Sequence, residues 1–214
     1  MRILERTKYE KLFANPLFRY TLSGADILNS ELLAEGERLR AESEGVVKSN
    51  RGGWHSSGNL FDNEAPCVQR LKSDAETAII AATKAIGAKA DLEELSLKTF
   101  AWMNANPPGG FNAPHTHPGA HWSGVYYVAQ PDVEEGSSGQ IEFLDPRTDL
   151  PNWRLLQAPA FRAKKAIRPK PGELILFPSY LVHWVYPNET SEERVSIAFN
   201  ATFRKLPKSK NLQV

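Results

Sequence analysis

The chain has a single cysteine, Cys67, in 214 residues. No internal disulfide can form, and no cysteine pair is available for a zinc site. Long apolar runs are missing too. Nowhere do about 18 apolar residues follow one another, so no membrane-spanning helix is expected. The opening stretch MRILERTKYEKLF is charged every few positions and holds no apolar core of a secretory leader. A reducing, cytoplasmic setting is therefore the expectation. Neither charge is in excess: 26 basic residues stand against 25 acidic ones. A weak basic cluster occurs only in the tail RKLPKSKNLQV, read as a solvated terminus. A nucleic-acid partner, which needs clustered Lys and Arg, is not expected. A small molecule or a peptide remains as partner, and oligomeric state stays open.

The 15 prolines and 14 glycines fall mostly between short apolar runs, which favours a β-rich domain. Two helices are expected in the first half. GADILNSELLAEGERLRAES sets Ile27, Leu28, Leu32 and Leu39 at helical spacing. SDAETAIIAATKAIG opens on a capping box, Ser73 with Glu76, and closes on Gly87 in the left-handed position past the helix end. Between them KSNRGGWHSSGNLFD reads as a loop that either lines a pocket mouth or simply buries Trp54. From Leu95 the pattern turns to strands: LSLKTFAWMN, HWSGVYYVA, GQIEFLD, GELILF, LVHWVYP and RVSIAFNATF. Short strands parted by Pro, Gly, Asn and Asp suggest a jelly roll, mainly β with flanking helices. One domain is expected. Residues 1–94 flank a core at 95–205, and 206–214 form the tail.

His115, His117 and His121 crowd the stretch NAPHTHPGAHW of a chain with five histidines. Side chains at i and i+2 of a strand share a face, so His115 and His117 stand side by side. Pro118 and Gly119 break the strand, which leaves the direction of His121 unread. A third imidazole is sought far away, at His183 in FPSYLVHWVYP. Imidazole suits iron, zinc, copper and nickel.

The strand RVSIAFNATF alternates cleanly. Arg194, Ser196, Ala198 and Asn200 share one face, and Val195, Ile197 and Phe199 the other. If the apolar face meets the helices, Arg194 and Ser196 turn towards the histidines. A guanidinium inside a small barrel needs an anion. Either a substrate carboxylate fills that need through bidentate bonds, or a distant Asp or Glu does.

The order HTH, SGVYYV, DP, PGELILFPSYLVHWVYPN and RVS resembles the iron(II)/2-oxoglutarate-dependent oxygenases, especially a small bacterial and phage group. The resemblance runs from Trp102 to Phe203, about half the chain. It implies a double-stranded β-helix, Fe(II) and O₂, and 2-oxoglutarate as cosubstrate, with succinate and CO₂ released. The family's iron site is a His, a carboxylate two residues on, and a distal His. His115 and His183 match the two histidines. His117 stands where the carboxylate belongs, so the resemblance implies either a three-histidine site or a ligand from His121, Glu142 or Asp145. Arg194 and Ser196 match the pair that grips the far carboxylate of 2-oxoglutarate. Tyr127 falls where prolyl hydroxylases of the family bind that carboxylate, or else is a core aromatic. With three neutral ligands, iron retention is expected to depend on the dianionic cosubstrate.

Two other readings compete. HTHPGAH and PGELILFPSYLVHWVYPN also resemble the two cupin motifs, with His121 as a ligand, Arg194 structural and no use of 2-oxoglutarate. A non-enzymatic jelly-roll binding module would leave His115, His117 and His183 without a shared task. The prime substrate is not legible. Trp54, His55, Trp102, Asn104, Asn112, His121, Trp122 and Trp184 are all candidates for a pocket lining.

Overall fold

A computed structural model describes residues 14–146 and 158–206, together with Leu155. The charged start and the basic tail, apart from its first residues, lie outside the described residues. In chain order come β1 (Phe18–Thr21), α1 (Ala25–Glu42), β2 (Asn50–Arg51), β3 (Trp54–His55) and α2 (Pro66–Ala85). Then follow β4 (Leu95–Asn106), β5 (Phe111–His115), β6 (Trp122–Ala129), β7 (Ile141–Leu144), β8 (Lys164–Ile167), β9 (Glu173–Pro178), β10 (His183–Val185) and β11 (Arg194–Lys205). Two antiparallel sheets result. One has the order β1-β9-β6-β11-β4-β3, the other β2-β5-β10-β7-β8. Every neighbouring pair is antiparallel, and sequence neighbours seldom lie side by side, as in a jelly roll. No helix among the described residues is long and apolar enough to cross a membrane.

Alternation sorts the six-stranded sheet into two faces. Val195, Ile197 and Phe199 of β11 join Tyr126 of β6 and Leu174 of β9 in a core closed by Leu28 and Leu32 of α1 and Leu71 and Ile79 of α2. Each such side chain contributes about 1.5–3 kcal/mol by leaving water. Tyr126 is tied to this layer by its hydroxyl, which donates to Asn29 Oδ1 at 2.7 Å. The other face looks into the space between the sheets, where Val125, Ile175, Phe177 and Ala198 meet Ile141, Phe143 and Val185 of the five-stranded sheet.

The second helix begins earlier than its apparent capping box. It starts at Pro66, whose missing N–H costs nothing at a first helical position. Asn63 Oδ1 accepts from the N–H of Ala65 just before it. Ser73 is thus a mid-helix residue whose carbonyl receives the Thr77 hydroxyl, and Glu76 accepts from Thr99. The other end is as read: Gly87 has φ +79° and its N–H donates to the carbonyl of Lys84.

The segment SNRGGWHS belongs to both sheets. Asn50 and Arg51 pair with β5, and three residues later Trp54 and His55 pair with β4. Gly53 lets the chain cross, since a Cβ there would meet the carbonyl of Ala105 at 2.7 Å.

Candidate active site

His115, His117 and His183 converge. Their potential ligand nitrogens all lie within 4.8 Å of one another. The strand ladder accounts for two of them, since His183 of β10 is the direct cross-strand partner of His115 of β5. His117 arrives differently. The strand ends at His115, and the backbone N–H of His117 donates to the carbonyl of Ser179 beyond it. Its ring still stands 4.8 Å from that of His115 and 5.2 Å from that of His183.

Two of the rings have a fixed tautomer. His115 Nδ1 lies 2.7 Å from the carbonyl of Ala113, and His183 Nδ1 lies 2.9 Å from that of Leu181. A carbonyl only accepts, so each Nδ1 holds the proton and each Nε2 offers a lone pair. Burial lowers the pKa of all three rings, to about 3 for His183 and about 4 for His117, with the neighbouring His115 adding to both shifts. All three are therefore neutral at pH 7. Three unprotonated, convergent imidazoles suit a divalent transition metal.

A cavity extends from the histidines between the two sheets to Arg194. Arg194 is 1% exposed and has no carboxylate partner among the described residues. Its Nε donates to Gln130 Oε1 at 3.0 Å and one Nη to Ser196 Oγ at 3.3 Å. Tyr127 pairs with Ser196 across the ladder, and the guanidinium lies 5.3 Å from its ring centre. The Tyr127 hydroxyl is buried with no hydrogen-bond partner, and burial pushes its pKa up to about 12. A guanidinium, a serine and an unsatisfied phenol at the end of a cavity form a donor set for a carboxylate. Asn104, opposite Ser196 in the ladder, lines the same cavity at 5% exposure, and its carboxamide Oδ1 is unsatisfied.

The other candidates separate. Trp102, Asn104 and Asn112 line the cavity. His55 lies behind Trp102, the two rings stacked at 5.6 Å and 7°. Trp122 faces the helices and donates to Thr83 Oγ1, while Trp54 donates to the carbonyl of Ser43. His121 is exposed, and its Nδ1 accepts from the backbone N–H of Phe203, which removes it from the histidine group and from the cupin arrangement. Glu142 is 4% exposed but is held by Trp184 Nε1, the Tyr186 hydroxyl and Lys164 Nζ. It pairs with Trp184, one residue from His183, and so faces the opposite side of the sheet. Asp145, just past β7, belongs to no metal-capable group among the described residues. Ser49 and Val185, which complete one cavity wall, carried no sequence signal beyond their place near strand ends.

Residues 100–200 match a protein family described as "Putative 2OG-Fe(II) oxygenase". No curated protein matches. Among solved structures, a prolyl-4-hydroxylase from Pseudomonas putida superposes with a TM-score of 0.63 at 18% identity, over 90% of this chain and 94% of that one. HygX from Streptomyces hygroscopicus, solved with nickel and 2-oxoglutarate, gives 0.58 at 13% identity, over 88% and 83%. The epimerase SnoN, solved with Fe3+, alpha ketoglutarate and nogalamycin RO, gives 0.63 at 17% identity, over 90% and 82%. The shared fold is the double-stranded β-helix.

Proposed function

We propose that the chain is a 2-oxoglutarate- and Fe(II)-dependent oxygenase in which His115, His117 and His183 hold the iron and Arg194, Ser196 and Tyr127 receive the far carboxylate of 2-oxoglutarate. The observation that carries this reading is the fully buried Arg194, without an acid among the described residues, at one end of a cavity whose wall bears three convergent neutral imidazoles. Iron, when bound, supplies the oxygen chemistry that converts 2-oxoglutarate and O₂ to succinate and CO₂ and oxidises a C–H bond of the substrate.

The protein's own part is positional. Ala113 and Leu181 fix two imidazoles by their carbonyls, which keeps the Nε2 lone pairs on the metal side. Arg194 and Ser196 donate to the cosubstrate carboxylate, and the Tyr127 hydroxyl gains in it the acceptor it lacks. Asn104, level with Ser196, offers its carboxamide to the cosubstrate from the side. Phe177, Val125 and Ile141 exclude water from the walls. Three neutral ligands leave the metal charge uncancelled, so the dianionic cosubstrate strengthens the hold of the three imidazoles on the metal.

Apart from Arg194 the lining is neutral, which suits an uncharged part of a small polar molecule or a peptide side chain. Hydroxylation is the expected outcome. The same reading takes the chain as one domain, residues 1–94 flanking the core at 95–205, and takes the cytoplasm as its compartment. The test is succinate formation from 2-oxoglutarate with Fe(II) in air, followed by mass spectrometry. Wild type is expected to form it and His183→Ala to form none. Equal formation by both would overturn the ligand assignment.

A further inference from the structure

His117 differs from the other two imidazoles in how it is held. His115 and His183 each donate from Nδ1 to a backbone carbonyl two residues earlier. The ring of His117 makes no such bond among the described residues. The second torsion of a histidine side chain is broad, so a ring without a hydrogen bond samples a range of directions. What His117 has is an aromatic wall. Its ring centre lies 5.5 Å from that of Trp102, inclined by 50°. Trp102 is in turn stacked on His55 at 5.6 Å and 7°.

The base of this stack is rigid. His55 is buried, and its Nδ1 lies 2.7 Å from the carbonyl of Ser56. Ser56 is fastened twice to β4: its N–H donates to the carbonyl of Met103, and its hydroxyl accepts from the N–H of Met103. His55 is also the direct ladder partner of Asn104, two residues from Trp102 on the same face. The stack therefore runs from a pinned backbone through His55 and Trp102 to His117. We propose that Trp102, backed by His55, is a positioning residue for the third imidazole and does by packing what Ala113 and Leu181 do by hydrogen bonding. SNRGGWHS then serves the metal site through His55, without reaching the metal.

This inference rests on the proposed three-histidine site, and Co(II) as the probe separates the two. Binding of Co(II) alone is measured by titration, with its visible ligand-field bands as a signature of geometry and melting of the metal-free protein as a check on folding. Wild type is expected to bind one Co(II), and His117→Ala to bind it far more weakly. Trp102→Ala is expected to weaken binding by about tenfold or more, as loss of a ligand-orienting partner does. Its bands shift while the metal-free protein still melts cooperatively. Trp102→Phe keeps an aromatic wall and is expected to restore affinity to within about threefold of wild type. His55→Leu, which leaves no large cavity, is expected to fall between these and decides the matter if Trp102→Ala does not fold. Wild-type affinity and bands in Trp102→Ala, or in His55→Leu where that variant decides, together with weak binding by His117→Ala, would overturn the positioning role alone. Wild-type binding by His117→Ala would overturn the site reading beneath it.

Discussion

Replacing Arg194 by methionine should make the empty protein more stable and the working protein worse. A guanidinium carries five N–H donors. Only two bonds of Arg194 are in place, to Gln130 and Ser196, and the group is 1% exposed with no carboxylate beside it among the described residues. Burial lowers its pKa, a sign that the charge sits uneasily there. Exchange of buried charges for apolar side chains of like volume stabilises proteins by about 1–4 kcal/mol. Taking about 2 kcal/mol, a chain of this size should melt about 4–8 °C higher without metal and cosubstrate. With 2-oxoglutarate the sign reverses. Two charge-assisted hydrogen bonds at about 1.5–2 kcal/mol each amount to about 3–4 kcal/mol. That is a loss of roughly 100- to 700-fold in cosubstrate affinity, at about 1.4 kcal/mol per tenfold. Melting of the metal-free protein and a 2-oxoglutarate titration of its Zn(II)-loaded form read both effects. A lower melting temperature with unchanged 2-oxoglutarate affinity would refute the reasoning and make Arg194 a structural residue.

Acid should destabilise the metal-free protein before any carboxylate is protonated. Below about pH 6.5 an unfolded histidine takes up a proton, while His183 in the folded chain refuses it down to about 3. Stability is thus full above pH 6.5 and falls at about 1.4 kcal/mol per pH unit for that group, about 2 kcal/mol by pH 5. Urea unfolding at the two pH values checks this, and equal stabilities would contradict it. Gly124→Ala should cost about 1–3 kcal/mol by thermal melting, because a Cβ there would press into the ring of Phe199. Glu142→Gln should lower stability by about 1–3 kcal/mol through its buried bonds to Trp184, Tyr186 and Lys164. Its Co(II) affinity should stay within about threefold of wild type, and a larger loss would return Glu142 to the list of ligands.

Where one physical rule governs a residue, its place was readable beforehand. Period-two alternation put Arg194 and Ser196 on the inner face of β11 and Phe199 on the helical side. Helical spacing found α1, and Gly87 marked the end of α2. Where two rules competed, the nearer signal misled. Ser73 and Glu76 have the pattern of a helix start, but Pro66 opens the helix about two turns earlier. His117 reaches its neighbours although the strand that would carry it there has ended, because Ser179 takes over its backbone. Other elements left no local trace. β2, β3 and β8 are short, and partners distant in sequence make them strands. That His121 turns away was not legible either, since it follows from a bond to Phe203 at the end of another strand.

The carbonyls of Ala113 and Leu181 have a consequence for how such a site varies over time. Each belongs to the main chain two residues before the imidazole it steadies. Any amino acid at either position supplies the same oxygen. The orientation of these rings is thus inherited with the backbone path and not with the side chain at 113 or 181, although Leu181 is itself held in the core between the sheets. His117 has no such insurance. Its bearing depends on an indole and on the ring behind that indole, so a change at position 102 or 55 is felt at the third imidazole. Two-thirds of the cluster is sheltered from mutation in its surroundings, and the remaining third is where a lineage can retune the metal.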